Sequence, residues 1–150
     1  MTKPAAYKIP ELDPSVVFDM GANAPVYHQR TIALLTAGLY PLFKAGKILY
    51  EPLPETMVGE YSSPTPDVIL FDTASETTKV IIEVCQTVGM KADLQKVIKL
   101  VDGELYGIEE GFVYNYKTGQ WLRYKLGDGG VAEPTSVSTV LELDLNEFLK

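Results

Sequence analysis

Glu83 interrupts the most apolar stretch of this 150-residue chain, the run VIIEVC at residues 80–85. A short β-branched run of this kind reads as a strand buried on both faces. An ionised carboxylate in such a place costs several kcal/mol unless it meets a cation, a metal or a proton. The segment therefore asks for a sheet covered on both sides and for a partner to Glu83. Two-residue alternation puts Ile81, Glu83 and Cys85 on one face and Val80, Ile82 and Val84 on the other. A purely structural reading is open beside the functional one: a glutamate near a strand end that pairs with a helix lysine.

A second apolar run, VILF at residues 68–71, precedes the first and is joined to it by the polar turn 72–79, which predicts a hairpin. Pro66-Asp67 opens that run. The proline fixes the entry of the chain and cannot donate into a central ladder. In a hairpin, Asp67 at the start of one strand and Glu83 towards the end of the other come side by side. The stretch between them holds two strands of about six residues and a turn of about five. Two carboxylates meeting near a buried surface repel each other, and a hard divalent cation removes the conflict. Mg²⁺, with Mn²⁺ as the substitute, needs few protein oxygens and keeps several waters, so Asp67 and Glu83 suffice to hold it.

Around this hairpin the pattern predicts one mixed sheet flanked by helices, an α/β (α+β) fold, in a single domain over residues 26–150. A chain of this length buries about 70% of its unfolded surface as one domain. Residues 1–25 carry four prolines and read as an arm over the surface. A helix follows from Val26, with Ile32, Leu35, Leu39 and Leu42-Phe43 on one face and with Pro41 and then Gly46 marking its end. Residues 47–53 are β-prone, with Pro52 and Pro54 suiting an edge. A second helix carries Leu94, Val97, Ile98 and Val101 on its apolar face and stops at Gly103. On that wheel Lys96 and Lys99 point away from the core, while Lys91 lies nearer the edge. Residues 111–116 and 121–125 form a second hairpin, the GDGG at 127–130 a mobile loop, 138–144 a further strand, and 145–150 a short helix or tail.

Thirteen basic against twenty acidic residues give a net charge of −7 and exclude a simple coater of nucleic acid. The surplus of acid lies towards the two ends. In residues 91–125, Lys91, Lys96, Lys99, Lys117, Arg123 and Lys125 slightly outnumber the acids, and this stretch is where an anionic ligand is expected to sit. One cysteine and one histidine allow neither an internal disulfide nor a zinc cluster of the CxxC type. No run reaches the length of a membrane span, and prolines and acids occupy the N-terminus where a signal peptide is apolar. The expectation is a soluble cytoplasmic protein that does not engage the membrane.

The ordered set His28-Gln29, Pro66-Asp67-Val68, Ile82-Glu83-Val84, Asp93, Lys96-Val97, Gly107-Ile108, Glu110, Phe112-Val113 and Leu143-Asp144-Leu145 resembles the PD-(D/E)xK restriction-endonuclease-like superfamily. Within it, the chain most resembles the bacterial Uma-two family of candidate restriction endonucleases. The resemblance implies metal-dependent hydrolysis of DNA phosphodiester bonds, with Asp67 and Glu83 binding Mg²⁺ or Mn²⁺ and a lysine assisting the attack. Two residues after Glu83, where the wider superfamily places that lysine, stands Cys85. The Uma-two family usually carries it on the next helix, which makes Lys96 the substitute and Lys91 its rival. Gln86 stands where that family often has serine. Gln29 or His28 from the first helix, together with Cys85, Gln86 and Lys91, are then expected around the site. A homodimer is expected too, since one small domain offers little surface to grip a duplex, with weak, salt-dependent DNA binding on one face.

Other readings compete. A Cys85–His28 nucleophile and base pair is disfavoured, because nearby carboxylates raise a thiol's pKa. Glu60, in the loop before Asp67, is a further acid that could approach a metal. Tyr106, Tyr114, Tyr116, Trp121 and Tyr124 could stack on bases, but at strand spacing they read better as core and cross-strand pairs. A member of the same fold that binds nucleic acid or protein without catalysis, and an acidic structural homodimer, are the two non-enzymatic readings. Cys85 at the lysine position and the net charge favour the former.

Overall fold

The computed structural model describes residues 25–60 and 63–150, so all of the expected arm except Pro25 lies outside the described residues. Helix α1 (Val26–Lys44) leads into strand β1 (Glu51–Pro54), followed by β2 (Val68–Asp72) and β3 (Thr77–Cys85). Helix α2 (Met90–Asp102) then connects to β4 (Glu110–Asn115) and β5 (Gln120–Lys125). Two-residue strands β6 (Val137–Ser138) and β7 (Leu143–Asp144) and a 3₁₀ turn at Leu145–Leu149 complete the chain. The main sheet has the order β1-β2-β3-β4-β5, with antiparallel neighbours except for β3 and β4. The parallel pair follows from the α2 crossover, since a helix returns the chain to the end where it started.

The alternation in β3 separates two cores. Val80, Ile82 and Val84 join Ile32, Leu35 and Leu39 of α1 with Val68, Leu70, Phe112 and Trp121. On the other side, Ile81 and Cys85 join Val97 and Val101 of α2 with Ile69, Val113 and Tyr124. Glu83 thus belongs by parity to the α2 side. Gly111 lets α2 press against β4, because a Cβ there would collide with Val97 and crowd Ile81. The resulting α+β layering, a five-stranded mixed sheet between two helices, matches the fold expected from the sequence.

Several boundaries differ from expectation for local reasons. Helix α1 runs through Pro41 to Lys44, and Ala45 N donates to Pro41 O (2.9 Å), so the proline removes one donor without ending the helix. Strand pairing at β1 begins only at Glu51, after Ile48 is buried under α1. β3 starts earlier, at Thr77, with a register shift between Leu70 and Phe71 of its partner β2. The GDGG segment is tethered rather than free: Gly130 N donates to Tyr124 Oη and Lys125 N donates to Asp128. Residues 138–144 do not form one strand but close on themselves as the β6–β7 pair. No helix among the described residues is long and apolar enough to cross a membrane.

Candidate functional site

The β2–β3 register pairs Val68 with Ile82, which leaves Asp67 and Glu83 as neighbours where the ladder ends. There the side chains take over from the backbone. Asp67 N donates to Glu83 Oε1 (3.0 Å), and Val84 N donates to Asp67 Oδ2 (2.7 Å). On its other side Asp67 is fixed through its carbonyl, which accepts from Glu55 N (2.9 Å). Pro66 has no N–H to give the ladder here, and the two carboxylates act as the acceptors of the Asp67 and Val84 amides.

Lys96 reaches this pair from α2. Its Nζ stands 2.8 Å from Glu83 Oε2. The helical wheel aims the Lys96 Cα–Cβ vector away from the core, but a four-carbon stem lets the amine return over the apolar surface to a buried acid. Burial, followed by the charge of Asp67, raises the Glu83 pKa above its ordinary value, and Lys96 opposes both. Burial alone would lower the Lys96 pKa, but Glu83, then Asp93 and Asp67, raise it. Asp93, one helical turn before Lys96, is half-buried, and its carboxyl pKa is raised by burial foremost. Burial pushes the Cys85 thiol up to about 12, with Asp93, Asp67 and Glu83 adding to the shift. A thiol so placed is a small buried hydrophobe, not a nucleophile.

His28, in the first turn of α1, approaches from the opposite side, with Nε2 3.5 Å from Asp67 Oδ2. Its Nδ1 donates to Gln29 Oε1 (2.8 Å), and Gln29 Nε2 donates to Glu55 Oε1 (3.3 Å). Contact with Asp67 raises the imidazole pKa to about 9 against the opposing effect of burial, with Gln29 and the Val84 backbone adding to the rise. The ring meets the edge of Tyr116 (6.3 Å between centroids, 82°), and the Lys117 ammonium lies over the Tyr116 ring at 5.8 Å.

Other expected residues are distributed more widely. Gln86 lies beside the Tyr116 hydroxyl, Lys91 is exposed in the first turn of α2, and Glu60 is exposed in its loop. Arg123 does not face an anionic ligand: it is buried, bound to Glu133 (3.0 Å) and donating to the Val137 carbonyl (2.8 Å). Lys125 pairs with Glu110, at the end of β4 away from Asn115 and the site. Of the basic stretch, Lys96 therefore contacts a site carboxylate and Lys117 lies over Tyr116, while Arg123 and Lys125 face elsewhere. Trp121 and Tyr124 are core residues, and Tyr114 faces Trp121 across the ladder at 4.6 Å. Asp93 stands beside the site although only its place in the motif order marked it; its i,i+3 spacing from Lys96 was the available signal.

Among the described residues no three His, Cys, Asp or Glu side chains already stand together as a metal cage. The donor set nevertheless suits a hard divalent cation in kind. Asp67 and Glu83 are oxygen donors at one ladder end, and each carboxylate's proximity pushes the buried one towards protonation, as in a site short of positive charge.

The structure aligns with a candidate nuclease belonging to DUF820 from Anabaena variabilis, at a TM-score of 0.65 and 11% identity, covering 83% of this chain and 80% of that one. The fold is restriction-endonuclease-like. A second likeness, to the type IIG restriction endonuclease BpuSI, has a TM-score of 0.50 and 20% identity. It covers 69% of this chain but only 12% of that much longer protein. The sequence matches no protein-family profile and no curated protein.

Proposed function

We propose that the protein is a metal-dependent endonuclease that hydrolyses DNA phosphodiester bonds at the Asp67–Glu83 end of the β2–β3 hairpin. The observation that carries this reading is the buried Glu83 carboxylate, interlocked with Asp67 and contacted by Lys96, in a fold shared with a candidate nuclease. Asp67 and Glu83 would hold Mg²⁺ or Mn²⁺; when bound, the ion lowers the pKa of water and offsets charge on the phosphate.

The chain's own residues supply the rest. The Asp67 and Val84 amides fix the two carboxylates, so no rotamer search precedes binding. Lys96 holds its charge beside Glu83 and, on its flexible stem, can turn that charge towards a phosphate oxygen. Lys117, over Tyr116, adds a second cation on the opposite flank for the DNA backbone. The acidic remainder of the surface limits DNA to this face. Two copies of the domain would be needed to cut both strands, which favours a homodimer on DNA.

The test is a thermal-stability titration with Mg²⁺ and Mn²⁺, followed by cleavage of supercoiled plasmid and of single-stranded DNA. The wild type should be stabilised by metal and nick DNA, and Asp67→Ala and Glu83→Ala should lose both properties. Lys96→Met should lose cleavage while keeping metal binding. DNA binding should weaken by about a thousandfold or more between roughly 50 and 200 mM salt if six phosphates are contacted. Metal binding without cleavage by the wild type would leave the fold as a binding module. No metal binding would end the catalytic reading.

A further inference from the structure

We propose that DNA is gripped through its phosphates by Arg30, near the start of α1, and by Lys117, in the β4–β5 turn, and not by Lys91 and Lys99 of α2. The inference rests on reading the site as a nuclease centre and deepens it by naming the surface that presents the substrate to that centre.

Twenty acidic residues are spread through the chain, yet residues 20–50 contain none and residues 111–127 contain none. The fold brings these two acid-free segments together, because the His28 ring of α1 meets the edge of Tyr116 at 6.3 Å between centroids. The same histidine reaches Asp67, with Nε2 3.5 Å from Oδ2. The join of the two segments therefore lies against the candidate site. Glu55, which accepts from Gln29 Nε2 (3.3 Å), bounds it on the β1 side. Glu51, which accepts from the Tyr40 hydroxyl (2.8 Å), closes the far end of α1. On a chain of net charge −7, a face free of carboxylates is where a polyanion meets least repulsion.

The cations on this face are held in a way that leaves their charge available. Arg30 and Lys117 are both exposed, and each stands over a tyrosine: Arg30 Cζ is 5.2 Å from the centroid of Tyr27, and Lys117 Nζ is 5.8 Å from that of Tyr116. Neither pairs with a carboxylate among the described residues. An exposed cation–π contact aims a side chain without neutralising it, so either charge can pass to a phosphate at little cost. The Arg30 fork can take two oxygens of one phosphate, and Lys117 acts as a point charge beside it. The lysines of α2 are placed differently. Lys96 is engaged by Glu83 at 2.8 Å, and Lys91 and Lys99 share their helix with Asp93 and Asp102.

The test titrates the full-length chain against a fluorescent DNA duplex by anisotropy in EDTA, so that neither metal nor cleavage enters the readout. At about 50 mM salt, Arg30→Gln and Lys117→Gln should each weaken binding by about tenfold, equally on two unrelated sequences, and each should reduce the log–log salt slope by about one. Arg30→Lys and Lys117→Arg should recover most of the affinity, which a packing role would not allow. Lys91→Gln and Lys99→Gln should stay within about twofold of the wild type. Folded Arg30→Gln and Lys117→Gln variants that bind as tightly as the wild type, or a larger loss from Lys91→Gln and Lys99→Gln, would overturn this surface even if the protein cuts DNA. The expected losses in a protein that neither binds metal nor cleaves would uphold the surface and end the nuclease reading. A wild type that binds no DNA would overturn the surface outright.

Discussion

The Lys96 ammonium stands 2.8 Å from a Glu83 carboxylate that is only 6% exposed, while the lysine itself is about half exposed, at 49%. The pairing is unequal: Glu83 carries the burial and Lys96 keeps its access to water. Glu83 has its pKa raised by burial and by Asp67. For a carboxyl raised in the folded state, the associated stability is fully present below its ordinary value and is lost as pH rises through the folded value. Ionising Glu83 therefore weighs against folding. Glu83→Gln should raise stability by about 1 kcal/mol, or about 2–4 °C in Tm, and abolish metal-induced stabilisation. Melting curves from pH 4 to 7 should converge towards the acid end, where the wild-type carboxyl takes up its proton. A variant less stable than wild type at pH 7 would contradict this.

His28 titrates with the same sign from the basic side. Its pKa rises from the ordinary 6.5 to about 9 through Asp67 foremost. Its contribution is fully present below about pH 6.5 and is lost as pH rises through about 9. Urea denaturation of wild type and His28→Ala without metal should give stability curves well separated at pH 6 that approach each other by pH 10. Asp67→Asn should remove most of the same separation. A gap that stays constant with pH would assign His28 a packing role only.

The Asp67–Glu83 adjacency was legible because it depends on parity and hairpin length, both written in the order of residues. The same parity separated Ile81 and Cys85 from Val80, Ile82 and Val84, and the two cores respect it. What was not legible depends on reach and on partners far along the chain. A wheel describes Cα directions, so it turned Lys96 outward although its amine folds back to Glu83. Arg123 read as a free cation because its partners, Glu133 and the Val137 carbonyl, come from a loop with no periodicity. The His28–Gln29–Glu55 relay joins a helix to a strand end, and nothing in the local pattern announces it.

Gly111 sets how closely α2 approaches the sheet. A Cβ at that position would overlap Val97 and lie 3.2 Å from Ile81. Val97 is on the helix that carries Asp93 and Lys96, so the contact also sets the height of those side chains above Glu83. Gly111→Ala should cost about 1–3 kcal/mol through overpacking. Val97→Ala, destabilising alone, should recover part of that loss in the double variant, giving a favourable coupling in a double-mutant cycle by chemical denaturation. Additive effects would mean that the helix and strand adjust independently.

Glu110 fastens the C-terminal segment. It is fully buried at the start of β4 and accepts hydrogen bonds from Ser138 Oγ, from Thr139 N (2.9 Å) and from Thr139 Oγ1 (2.9 Å). Ser138 Oγ also accepts from Leu141 N (2.9 Å), so a single carboxylate organises the β6–β7 turn. That turn presents Leu141 and Leu145 to the core under α1. Glu110→Ala leaves these donors buried without a partner and should cost about 3 kcal/mol. The loss should be local before it is global. Amide exchange should accelerate first across residues 137–149, while β2 and β3, where Asp67 and Glu83 lie, keep their protection. Metal binding, measured by the same titration as for the wild type, should remain within about twofold. Equal loss of protection in every strand would show that Glu110 supports the whole sheet and not the turn alone.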